Sequence, residues 1–174
     1  VLQWVNRVFV KDDKKFRKKL LPNSPNRGVS KWYHFATSKE ELNWILMTCK
    51  EGPLTILCRY NRQVKYYQNF GIKNNINNLQ IMTIHASKGL EFVRVAVVGL
   101  SKTLFPNIKR NQNPKKYAEE KRLFYVAMSR AQKDLYLLSC EQKVWKGKLT
   151  FFRPSPFLRI TSPLAPLTLR IKPL

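Results

Sequence analysis

Apolar residues in this chain fall into short β-branched runs separated by longer amphipathic stretches. Residues 54–58 (LTILC), 80–84 (QIMTI), 93–100 (VRVAVVGL) and 135–140 (LYLLSC) are compact runs. Runs of this kind suit strands buried on both faces of a parallel sheet. Residues 32–36 predict a further strand. In residues 1–21, Leu2, Val5, Val8 and Phe9 recur at helical spacing, with Phe16, Leu20 and Leu21 on a second face. Thr37 or Ser38, followed by Glu40 and Glu41, reads as a helix start. That helix is expected to turn Leu42, Ile45 and Leu46 inward and to end near Gly52-Pro53. Residues 63–70 predict a second helix capped by Gly71, and residues 118–131 a third, with Leu123, Val126 and Ala127 at core spacing. PNSPNRG (22–28) and KNNINN (73–78) read as polar connectors. Residues 101–117 are basic and punctuated by Pro106 and Pro114, which predicts an exposed loop, and Lys133 and Asp134 predict a turn. Strands alternating with helices argue for an α/β fold with a mainly parallel sheet.

Composition narrows the class. The chain has 174 residues, 44% hydrophobic and 12% aromatic, enough for one domain with a real core. No apolar run approaches the roughly 20 residues needed to span a bilayer, and residues 1–10 lack a signal-peptide pattern. The chain begins at Val1 rather than Met, so a piece of something longer is the expectation. Thirty-three Lys and Arg against 10 Asp and Glu give a net charge of +23. A charge that large on one domain points to a polyanion, most often a nucleic acid; acidic lipid is the weaker reading, because no long basic amphipathic helix is present. Cys49, Cys58 and Cys140 have no paired spacing, and with only His34 and His85 no zinc cluster can be assembled. Free thiols of this kind fit buried small hydrophobes in a reducing cytoplasm. Beyond Gln142, aromatic and basic residues mix, and five prolines from Pro154 to Pro173 make the last 22 residues a poor candidate for regular structure.

The stretch QIMTIHASKGLEFVRVAVVGL (80–100) concentrates the chemistry. Between its two strands sits HASKGLE (85–91), with an imidazole, a hydroxyl, an ammonium and a carboxylate in seven residues. In open α/β sheets ligands bind beyond the carboxyl ends of the strands, where this loop departs. Taken alone it reads equally as a solvated turn built on Gly89, because a lone Lys-Gly pair is a weak signal.

A second cluster, EEKRLFYVAMSRA (119–131), is a helix ending in Ser129-Arg130. With TIHASKGLEF (83–92), it resembles superfamily 1 DNA helicases of the UvrD/Rep/PcrA type, the two stretches being similar to that family's motifs VI and V in the right order. LTILCRYN (54–61) is similar to motif IVa, Asn6-Arg7-Val8 with the basic residues 17–20 to the helix before it, and SPFLRI (155–160) to the segment that closes the motor core. The resemblance covers nearly the whole chain, but only the second RecA-like domain of such a motor. It implies a RecA-like, mainly parallel sheet flanked by helices over residues 1–152, followed by a Pro-rich basic tail over 153–174.

The resemblance also implies roles. ATP, with Mg2+, binds between two RecA-like domains, and Arg130 matches the motif VI arginine that neutralises charge on the γ-phosphoryl; a fork of donors suits phosphate better than a point ammonium. Glu91 would accept hydrogen bonds from the nucleotide sugar, with Lys88 and Gly89 against the same cleft. Arg122 is read first as pairing with Glu119, one turn away on its helix, and second as a contact in the cleft. Thr83 and His85, with Arg59 and Asn61, match residues that hold the backbone of single-stranded DNA, a track giving affinity without sequence choice. Tyr60, Tyr66 and Tyr67 are read first as packing residues and second as stacking platforms.

The sequence departs from the family pattern in three places. The Walker A loop, the Walker B acids and the Asn-Tyr-Arg motif are absent, and their expected place is upstream of Val1; this chain alone should not hydrolyse ATP. Only 17 residues separate Arg62 from Gln80, where most relatives carry a large inserted subdomain. Ser129 stands where Thr is commoner. The expected function is the C-terminal motor domain of a cytoplasmic ATP-dependent DNA helicase or translocase. Its partners would be single-stranded DNA, the N-terminal RecA-like domain and a nuclease or repair protein. A non-catalytic nucleic-acid adaptor or a nuclease-associated assembly module is the alternative.

Overall fold

The computed structural model describes residues 28–109, 112–145, 148–161 and 167–168. The helix expected over residues 1–21 and most of the connector after it lie outside them. In chain order the elements are β1 (Ser30–Thr37), α1 (Ser38–Lys50), β2 (Leu54–Cys58), α2 (Asn61–Lys73), β3 (Leu79–Thr83), β4 (Phe92–Val97), α3 (Pro114–Ser129), β5 (Ala131–Trp145), β6 (Lys148–Phe151), α4 (Leu158–Thr161) and β7 (Leu167–Thr168). Among the described residues the strands form one sheet in the order β3-β2-β4-β5-β1-β7, all parallel, with β6 folded back antiparallel on the far end of β5. No helix of the described residues is long and apolar enough to cross a membrane.

Alternation along the strands makes two cores. Leu57, Val95, Val97, Leu135 and Leu137 face α3 and meet Phe124, Ala127 and Met128. Ile56, Ala96, Val98, Leu138 and Cys140 face α1 and α2 and meet Trp44, Ile45 and Tyr67. Period-two strands buried on both sides in this way are what a parallel sheet covered by helices requires. The start of the Pro-rich segment belongs to the first core. Phe157 is fully buried, stacked on Phe124 with ring centroids 5.4 Å apart and edge-on to Phe105 at 5.8 Å. Burying a phenylalanine of this kind contributes about 1.5–3 kcal/mol.

Several expectations are corrected by this packing. Helix α1 begins where predicted, with the Thr37 hydroxyl accepting from the Glu40 amide, but it buries Glu41, Trp44, Ile45, Thr48 and Cys49. Leu42 and Leu46 are only half-buried. Gly71 is not a cap: it is a buried residue inside α2, which runs on to Lys73 and is capped at Asn74. Strand β3 is not buried on both faces, because it is the sheet's edge. The segment after β4 is not an open loop, since Ser101, Leu104, Phe105 and Pro106 are buried, and α3 already starts at Pro114, a residue suited to a helix's first turn. Within α3 the inward phase is Phe124, Ala127 and Met128, with Leu123 and Val126 partly covered. Lys133 and Asp134 lie inside β5, where Asp134 pairs with Arg94 of β4.

The connection from β3 to β4 has an unusual job. Both strands pair in parallel with β2, on opposite sides of it. Thr83 sits level with Cys58, whereas Val95 sits level with Thr55, so Phe92 lies about six residue steps, roughly 20 Å, lower. Residues 84–91 must therefore carry the chain from the carboxyl edge of the sheet to its amino edge. A parallel crossover usually takes a dozen or more residues. Here nine steps, with a reach of about 30 Å, suffice because no helix is inserted. The slack is taken up in turns closed by Ser87 N–H to Thr83 O (3.2 Å) and Leu90 N–H to Ser87 O (3.0 Å), with Ile84 and Ser87 buried beneath.

Candidate functional site

The predicted residues separate into two groups, one at each edge of the sheet. At the carboxyl edge, Arg59 and Asn61 follow β2 while Thr83 and His85 end β3, and the two strand ends are bonded side by side through Ile84 N–H to Cys58 O (2.9 Å). His85 and Asn61 are exposed. The Thr83 hydroxyl is half-buried and accepts from the Ala86 amide at 3.1 Å, which fixes the start of the loop. Gln63 organises the neighbouring turn: its Oε1 accepts from the amides of Arg59 (3.1 Å) and Tyr60 (3.0 Å), which sets the first turn of α2.

The guanidinium of Arg59 is not free. Its Nε and Nη2 donate to Glu120 Oε1 at 3.0 and 2.7 Å, and it lies 4.9 Å from the centre of the Tyr60 ring. Burial works against its charge, but the Glu120 carboxylate more than offsets this and holds the pKa above the ordinary arginine value. Arg62 stacks on the same ring at 5.5 Å. Of the three tyrosines considered for stacking, Tyr67 is buried, Tyr60 half-buried and Tyr66 exposed.

At the amino edge lie Gly89, Glu91 and Arg130. Arg130 closes α3, and its own carbonyl accepts from the Phe92 amide at 2.8 Å, so the helix end and the start of β4 are held together. Its side chain is aimed by three contacts: Nε to Val126 O (3.1 Å), Nη2 to Ser129 Oγ (3.0 Å) and Nη1 to Leu90 O (2.9 Å). Ser129 in turn donates to Val126 O at 2.9 Å, so the hydroxyl present in place of the commoner threonine is in use. Glu91 is exposed and accepts from Gln132 Nε2 at 3.3 Å. Gly89 has φ of +83°, a conformation that favours glycine, and an added Cβ there would meet nothing within 4 Å. Lys88 is exposed on the descending loop. Arg122 is exposed too and, among the described residues, makes no ion pair with Glu119, against expectation.

Sequence reading missed Glu120 as a partner of Arg59, Gln132 as a partner of Glu91, and Gln63. Only chain distances of 61 and 41 residues separate the first two pairs from their partners, and no local periodicity reports such contacts. The three cysteines are buried and free. Burial pushes the Cys49 thiol up to about 11 and Cys140 up to about 12, which keeps both protonated and inert.

Comparison with known proteins gives this geometry relatives. Residues 61–142 match the UvrD-like helicase C-terminal domain. Over 160 residues the chain is 31% identical to the ATP-dependent DNA helicase Rep of Buchnera aphidicola subsp. Acyrthosiphon pisum, an alignment covering 90% of this chain and 22% of that protein. Over 80 residues it is 39% identical to DNA helicase II of Escherichia coli K12, covering 46% and 11% of the two chains. The chain thus spans under a quarter of the length of either relative. The fold is shared with the crystal structure of the C-terminal domain of a possible DNA helicase from Lactobacillus plantarum WCFS1, at a TM-score of 0.59 and 14% identity over 92% of this chain and 89% of that one. The matched segment contains both Ser129-Arg130 and the whole crossover loop, so over residues 61–142 the chain is similar to the UvrD-like helicase C-terminal domain.

Proposed function

We propose that this chain is the second motor domain of an ATP-dependent DNA helicase or translocase. Its amino edge completes an ATP site and its carboxyl edge grips single-stranded DNA. The observation that carries the reading is the aim of Arg130. Three contacts orient the guanidinium, yet its two terminal nitrogens retain hydrogens that are not spent on them. A preorganised cation of this kind stabilises charge developing on a transferring phosphoryl group without reorganising during the reaction. The exposed Glu91 carboxylate beside it suits ribose hydroxyls as an acceptor.

The chemistry of this donor set fits the far side of an ATP site and not its cradle. The chain supplies an arginine and a carboxylate but no glycine-rich phosphate loop. Among the described residues no three acidic or imidazole groups converge on one point. Mg2+ accompanying the nucleotide would therefore be held by the first motor domain and the phosphates. At the other edge, His85, Thr83, Asn61 and Arg59 offer donors to a phosphate backbone without reading base edges, which suits a strand that must slide.

The test joins this chain to a first motor domain and measures ATP hydrolysis stimulated by single-stranded DNA. Arg130→Ala should lower turnover about a thousandfold or more while nucleotide still binds. Turnover within tenfold of the unsubstituted motor would refute the role assigned to Arg130.

A further inference from the structure

Helix α3 reaches both edges of the sheet. Near its middle Glu120 holds Arg59, and at its end Arg130 holds Leu90. The Glu120 contact is lopsided. Both bonded nitrogens of Arg59 use the single oxygen Oε1, while Oε2 is buried and has no hydrogen-bond partner. Arginine–carboxylate pairs are frequently bidentate, each oxygen taking one N–H. A buried oxygen left unpartnered has a desolvation cost that the fold does not recover. Arg59 keeps 21% of its side chain exposed, against 12% for Glu120, so the cation is the more accessible partner of the pair. The nucleic-acid edge therefore holds an arginine already neutralised from behind by an internal carboxylate.

We propose that Glu120 is a positioning residue that competes with a nucleic-acid backbone phosphate for Arg59. Without nucleic acid, Glu120 and the Tyr60 ring keep the guanidinium docked. When a strand arrives, a phosphate oxygen takes over the Nε and Nη2 donors, and Glu120 is released on the helix that ends at Arg130. The inference rests on reading the carboxyl edge as the nucleic-acid surface.

The test uses the 174-residue chain, a fluorescent oligothymidylate and the variant Glu120→Gln. Affinity should rise about threefold to tenfold with the salt dependence of log K unchanged, because Arg59 meets a phosphate in both proteins, whereas Arg59→Ala should flatten that dependence by about 0.7, the increment for one phosphate contact on a single strand. In an Arg59→Ala background the same substitution should change nothing. Unchanged or weaker binding by Glu120→Gln would overturn the proposal. So would an equal gain in the Arg59→Ala background, which would mark a general effect of removing a negative charge. Should Glu120→Gln fail to fold, the unsubstituted chain still decides: the Arg59 Nε–H resonance should shift as oligothymidylate is added, and binding without that shift contradicts the exchange. If the unsubstituted chain binds no oligothymidylate at low salt, the nucleic-acid reading itself falls.

Discussion

Glu41 has no exposed surface, and two partners hold its carboxyl group there. Its Oε2 accepts from the Tyr67 hydroxyl at 2.9 Å and from the Lys143 ammonium. Burial alone would lower the lysine's pKa, but the Glu41 carboxylate more than compensates and keeps it above its ordinary value. The phenol of Tyr67 is pushed well up by burial and by the same carboxylate, so it stays protonated as a donor. This trio ties α1, α2 and the far end of β5 together. Buried pairs of this type add little when intact, but removing one partner strands the other. Glu41→Ala should therefore cost about 3–5 kcal/mol in urea unfolding, while the double variant Glu41→Leu, Lys143→Met should recover most of it. A loss under about 1 kcal/mol for Glu41→Ala would mean that Lys143 reaches water without its partner.

At the scale of elements, a β4 residue ends helix α1. Arg94 donates through Nη1 to Thr48 O (3.1 Å) and Gly52 O (3.2 Å), carbonyls at the negative end of the helix. It also donates to Glu51 at 3.1 Å, but that carboxylate is 74% exposed and adds little. Arg94→Ala should cost about 2–3 kcal/mol and speed amide exchange in the last turn of α1, whereas Glu51→Ala should stay within about 0.5 kcal/mol. Equal losses from the two would shift the weight from the helix end to the surface ion pair.

These elements also mark what could be read in advance. The strand runs at residues 54–58 and 93–100 were legible because β-branched residues cluster where both faces are covered, although the second strand itself spans Phe92–Val97. The start of α1 was legible from Thr37 and Glu40. The inward phase of α1 was not, because a glutamate occupies it and its partner lies 102 residues away. The edge position of β3 was hidden too, since strand order depends on pairings that no local pattern reports. For the candidate site, the motifs supplied the residues proposed. Their division between two edges was not, because it depends on residues 84–91 acting as the crossover, a role that turn-forming residues do not announce.

For the whole molecule, that crossover is the organising feature. It places Thr83 and His85 at one end of the sheet and Glu91 at the other, with α3 running between the same two edges from Glu120 to Arg130. A net charge of +23 favours capture of a polyanion from any direction, but only the carboxyl edge combines a pair of strand ends with the first turn of α2. The proposed function makes grip on the strand and hydrolysis of ATP separable, each with its own edge. The most direct test compares Arg130→Ala with His85→Ala in one reunited motor, measuring oligothymidylate affinity and turnover at saturating DNA for each. Arg130→Ala should abolish turnover and leave affinity within about twofold, and His85→Ala should weaken affinity while turnover at saturating DNA stays near that of the unsubstituted motor. If either variant damages both quantities equally, the two edges are not separate sites and the account fails.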